Sequence, residues 1–284
     1  MIVKETHRVP KLENRIRLQE YGVGVFKSVS TKSGLKKAIK KELILVDGEI
    51  SSTGKYIFGG EKIELLIVED KPNHKLFYFD LEVLFEDDYL AIIYKPAGIL
   101  VSGNSFKTID NCLAQNLQKS QQFDAVKPRP IHRLDYPTSG VLLIGKTSSA
   151  IIALNKLFEN KEIQKTYFAI TIGKMKKKEA INFPIDDKKA VTYYNVEKTV
   201  LSQRFDFLNL VKLEPQTGRK HQLRKHLSAI ENPILGDKEY GKEDLILNGK
   251  GLYLHAFSLE FIHPFTKGNL FISKQFPKKF KKIF

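Results

Sequence analysis

The run Val141-Leu142-Leu143-Ile144 constrains this chain most. Four consecutive apolar residues leave no polar face, so the segment reads as a strand covered on both sides. It is entered from a polar loop, HRLDYPTSG, whose Pro137-Thr138-Ser139-Gly140 ending reads as a turn. A side chain on such a loop can be held rigidly and still face a cleft, where chemistry collects. Asp135 occupies that position, with His132 and Arg133 beside it. Asp135 could equally cap the turn and pair with Arg133, and the stretch alone supports both readings.

A rival pattern overlaps it. Gly140 to Thr147, GVLLIGKT, satisfies the phosphate-loop formula. A phosphate loop needs a flexible segment whose amides turn inward between a strand and a helix. Val, Leu, Leu and Ile in the middle do not suit such a nest, and the polar HRLDYPTS stands where the preceding strand should be. The formula is therefore read as coincidence, and Lys146 as a strand-end surface residue.

The chain has two textures. Ser33 precedes GLKKAIKKE, a short helix with Leu35, Ala38 and Ile39 inward and Lys36, Lys37, Lys40 and Lys41 outward. Asp47-Gly48 between apolar runs signals a hairpin, and Lys62–Val68 a further strand. A small α/β module over 1–75 is expected to present a basic face, with a link at Glu69–Lys75 around Pro72. Residues 80–284 read as the larger domain. Runs flanking Glu86-Asp87-Asp88 are strand-like, and Lys107–Leu117 helical. Lys127-Pro128-Arg129-Pro130 reads as a loop. SSAIIALNKLFENKE is helical, and TGRKHQLRKHLSAI is helical with Thr217 as N-cap. KTYFAITIG, TYYNVEKTVL, FLNLVKLEP and LYLHAFSLEFIHP are strand-like. The fold class is α+β, a mainly antiparallel or mixed sheet with flanking helices.

The formal net charge of +15 favours a polyanionic partner, nucleic acid first. The excess is spread: residues 1–80 carry 15 Lys/Arg against 11 Asp/Glu, so no single tail accounts for it. One cysteine, Cys112, excludes an intrachain disulfide and suits a reducing cytoplasm. No run approaches a membrane span, and the chain is expected to be a soluble monomer.

Several stretches together carry a resemblance. HRLDYPTSGVLL resembles the signature of the RluA-type pseudouridine synthase family. EDDYLAIIYKPAGILV, KTYFAITIG, PQTGRKHQLRKHL with NPILGDKEYG, and LHAFSLEFIHP resemble further family segments, in family order, over residues 82–264. Residues 33–68 resemble the small RNA-binding module of the ribosomal-S-four type. The resemblance implies isomerisation of uridine to its carbon-linked form within RNA, with no metal or organic cofactor. It implies Asp135 as the essential carboxylate, acting by nucleophilic attack or by proton abstraction from the sugar. It implies Arg224 as that carboxylate's partner and Tyr167 as the active-site tyrosine, its ring able to stack on the base and its hydroxyl able to serve in proton transfer. Arg133 would enter the gap left by a flipped base, and His132 would support the loop. Lys36, Lys37, Lys40 and Lys41 are candidate phosphate contacts. Ribosomal large-subunit RNA is the favoured substrate and transfer RNA the next. A non-catalytic RNA-binding protein is the alternative, disfavoured because binding does not need Asp135, Tyr167 and Arg224 together.

Overall fold

The computed structural model describes residues 1–67, 77–247 and 249–284. The link expected at Glu69–Lys75 lies outside them. The chain divides into two compact units, residues 1–75 and 76–284.

In the first unit, β1 (Ile2–Arg8) is followed by β2 (Ile16–Arg17), α1 (Leu18–Tyr21) and α2 (Lys32–Lys40). Then come β3 (Ile44–Val46), β4 (Glu49–Ile50), β5 (Tyr56–Ile57) and β6 (Lys62–Ile67). A four-stranded sheet runs β1-β6-β3-β4. Asp47 and Gly48 both take positive φ, which joins β3 to β4 in a tight hairpin. α2 starts earlier than expected. Thr31 caps it, its hydroxyl accepting from the Gly34 amide at 3.1 Å. Leu35, Ala38 and Ile39 are buried with Leu18, Phe26, Ile57 and Ile63. Of the four lysines, Lys36, Lys37 and Lys41 are exposed, as is Lys40 at the helix end.

The second unit opens with β7 (Glu82–Glu86), β8 (Leu90–Lys95), α3 (Ile109–Asn116), β9 (Ala125–Pro130), β10 (Ser139–Thr147) and α4 (Ser148–Glu159). It continues with β11 (Gln164–Ile172), β12 (Lys178–Ile181), β13 (Thr192–Ser202), β14 (Asp206–Pro215), α5 (Gln222–Ala229), β15 (Leu254–Ile262) and β16 (Asn269–Ser273). The sheet runs β12-β13-β14-β11-β15-β10-β8-β7, with β16 added to β15 and β9 to β10. Among the described residues β10 and β15 pair in parallel, at Ser139–His255 and Gly140–Ala256. From there β10 pairs with β8 and β9, while β15 pairs with β11 and β16. The sheet thus parts beyond a short seam. Two cores flank it, one under β8 and β10 and one under β11, β14 and α5, and Tyr167 packs against both.

Three local expectations are corrected. GVLLIGKT is β10 itself, buried throughout, and Lys146 is only 2% exposed. Its ammonium donates to Glu86 Oε1 at 2.6 Å and to the Asp87 carbonyl, so the charge is buried because it is paired. Lys127-Pro128-Arg129-Pro130 belongs to strand β9, which among the described residues pairs with β10 alone. Proline is admitted on such an edge, where its missing N–H costs no ladder bond. Finally, α5 is capped by His221. Thr217 instead accepts from the Val191 amide and donates to Gln222 Oε1. Among the described residues no helix is long and apolar enough to cross a membrane.

Candidate active site

Asp135 lies in the connection between β9 and β10, pinned by backbone bonds at both ends. The Ile131 amide donates to Leu143 O at 2.9 Å, Thr138 to Asp135 O at 3.0 Å, and Gly98 to Tyr136 O at 2.8 Å. His132 supports the loop from below: its Nε2 accepts from the Leu143 amide at 3.1 Å. Burial, reinforced by the Lys165 charge, pushes His132 down to about 3, which keeps that nitrogen an acceptor.

Lys95, the end of β8, is fully buried. Its ammonium donates to the carbonyls of Thr138 at 2.7 Å, Pro96 at 3.0 Å and Tyr136 at 3.3 Å. It therefore clamps the backbone on the far side of Asp135. Burial pushes Lys95 down to about 8, and the Asp135 charge works against that shift. Asp135 itself keeps 27% of its side chain exposed, so a substrate can reach it.

Gly140 stands where the loop meets the seam. A Cβ there would lie 2.1 Å from Ala256 O, and φ is +134°, so only glycine fits. Beside it, Ser139 Oγ lies 2.9 Å from His255 Nδ1, while His255 Nε2 donates to Lys274 O at 2.9 Å. Ala256 pairs on its other side with Tyr167. Tyr167 is thus two strands from Gly140, about 10 Å at the usual strand spacing. Burial first, and then the Asp135 carboxylate, hold the Tyr167 hydroxyl well above its ordinary range.

The other wall is α5. The resemblance pairs Arg224 with Asp135; in the structure the hydrogen bonds of Arg224 go to other carboxylates. Its Nε and Nη2 donate to the two oxygens of Asp237 at 2.7 Å each, and Nη2 also to Glu239 at 3.1 Å. The guanidinium lies 4.8 Å from the centre of the Tyr240 ring. Burial works to lower its pKa, but Asp237, Asp135 and Glu239 together leave it raised. The Asp135 charge thus reaches Arg224, while the hydrogen bonds of Arg224 belong to Asp237 and Glu239. Between them stands His221, with Nε2 3.8 Å from Asp135 Oδ1 and Nδ1 3.0 Å from Tyr240 Oη.

So the Asp135 charge is felt at both Tyr167 and Arg224, and Arg133 is exposed on the Asp135 loop. Lys36, Lys37, Lys40 and Lys41 belong to the other unit. Sequence reasoning missed Lys95, His221 and Asp237, although each falls within a stretch that carries the resemblance. A polar residue ending an apolar strand, as Lys95 does after Leu90–Tyr94, was the available signal.

The family model for RNA pseudouridylate synthase matches residues 89–229. A solved structure of human RNA pseudouridylate synthase domain containing 4 is similar, with TM-score 0.59 and 26% identity over 70% of this chain and 90% of that one. Ribosomal large subunit pseudouridine synthase D of Nitrosomonas europaea is 30% identical over 82% of this chain and 74% of its own length. The transfer RNA pseudouridine synthase C of Haemophilus influenzae is 34% identical over 72% of this chain and 96% of its own. The chain belongs to the RNA pseudouridylate synthase family, whose members isomerise uridine to pseudouridine in RNA.

Proposed function

We propose that this protein isomerises particular uridines in structured RNA, ribosomal large-subunit RNA first and transfer RNA second, with Asp135 as the essential carboxylate. The observation that carries the reading is the part-exposed Asp135, clamped from behind by Lys95 and faced by Tyr167 and His221. Relatives named for large-subunit and for transfer RNA support both substrate classes. In the reaction the N1–C1′ bond breaks, the uracil turns, and C5 bonds to C1′. The C5 proton leaves and N1 takes one up. Asp135 supports this either by attack on the sugar or by removing a sugar proton. Tyr167 is kept protonated, so it serves as a stacking surface and hydrogen-bond donor to the base. The target base leaves its stack to reach the cleft, and exposed Arg133 fills the gap.

Residues 80–284 form the catalytic domain in this reading, and 1–75 an RNA-binding module of the ribosomal-S-four type. Lys36, Lys37, Lys40 and Lys41 of that module contact phosphates. The protein acts as a cytoplasmic monomer. Pseudouridine mapping of total RNA tests the reading, comparing cells with the native protein and cells with Asp135→Ala alone. One or a few sites should lose the modification. Persistence of every site, with RNA binding retained, would move the reading to a non-catalytic RNA-binding protein.

A further inference from the structure

We propose that His221 is the positioning residue for Asp135, a role that rests on the catalytic reading of that carboxylate. Three observations converge on it. His221 is the N-cap of α5 in a left-handed conformation, φ 55° and ψ 26°, and makes no side-chain capping bond. A non-glycine residue held there is strained by about 1 kcal/mol or more, and such strain collects where a side chain has to be aimed. The aim is visible. Nδ1 is tied to Tyr240 Oη at 3.0 Å, with Glu239 Oε1 3.5 Å away, and the opposite nitrogen faces Asp135 Oδ1 at 3.8 Å. Tyr240 is fixed in turn, its amide bonded to Asp237 Oδ1 at 3.1 Å and its ring under Arg224. The contact between Nδ1 and Tyr240 Oη can run either way; in the tautomer where Tyr240 donates, the ring hydrogen sits on Nε2 and points at Asp135. A protonated ring places one there as well.

The 3.8 Å gap is longer than a hydrogen bond. Catalytic hydrogen bonds are often long in the free protein and tighten in the substrate complex. Closed by RNA, this one fixes which oxygen of Asp135 faces the reacting sugar. It supplies the direct donor that Arg224, committed to Asp237, does not.

His221→Gly tests this, since glycine takes the left-handed cap without strain and leaves an imidazole-sized gap. Expected is a fall in kcat of ~10-fold or more with KM within ~3-fold, recovered in part by added imidazole. Asp135→Asn should gain nothing from imidazole. An unchanged kcat, or a loss that imidazole does not recover, would overturn the proposal. Turnover by the native protein reports separately on the catalytic reading. Independently of turnover, the ring nitrogen resonances of His221 should move on Asp135→Asn; unmoved resonances would also count against the role.

Discussion

Arg224 is forked onto Asp237, both bonds 2.7 Å and both partners almost fully buried. Asp237 is held in place by more than the arginine, since the amides of Glu239 and Tyr240 donate to its Oδ1. Removing the carboxylate leaves the buried guanidinium with Glu239 as its remaining bonded carboxylate. Asp237→Ala should lose about 3–5 kcal/mol of stability, read by urea unfolding of the full chain. Asp237→Asn, which keeps an acceptor for the two amides, should lose less.

Lys95 gives a prediction with a defined pH window. The folded state pushes this lysine to about 8 from the ordinary 10.5. Between those values the unfolded chain binds more protons, so this group makes the fold more stable as pH rises. Activity should do the reverse. Above about 8 the ammonium that clamps Tyr136 and Thr138 is lost, and kcat falls. Lys95→Met should abolish that alkaline limb while lowering kcat at neutral pH by ~100-fold or more. A full pH–rate profile of the two proteins decides it.

Gly140→Ala should be among the most damaging single changes. Its methyl would meet the Ala256 carbonyl at 2.1 Å, and the Ala256 backbone nitrogen is almost as close. The seam between β10 and β15 has to open, at a loss of about 4 kcal/mol or more. Circular dichroism and soluble yield measure this directly.

The lysines of α2 and its C-cap should matter for binding alone. All four are exposed and away from the buried face of the helix. Replacing Lys36, Lys37, Lys40 and Lys41 with Gln should leave the melting temperature within about 2 °C. RNA affinity should fall, and the salt slope should shrink by about 0.7 for each phosphate that is no longer neutralised. An unchanged slope would remove these lysines from the RNA face.

Much of this was legible locally. The apolar run after HRLDYPTSG placed β10 and the loop of Asp135, and Asp47-Gly48 placed its hairpin, because periodicity and turn chemistry are short-range signals. What was missed depends on partners far along the chain. Lys146 reads as surface until Glu86, 60 residues away, is folded against it. Lys-Pro-Arg-Pro reads as a loop until one edge of β10 is free to accept it. Arg224 pairs with Asp135 by resemblance, whereas Asp237, 13 residues on, is its bonded partner. His221 carries only a weak conformational signal, since histidine takes a left-handed backbone more often than most side chains without demanding it.

The most direct measurement is hydrogen release from C5 of uridine. Purified protein is given RNA labelled with tritium at that carbon, because making the new carbon–carbon bond expels that hydrogen. The native protein should release the label, and Asp135→Asn should release it ~1,000-fold or more slowly while still binding the RNA. Equal release by both proteins would contradict an essential role for Asp135.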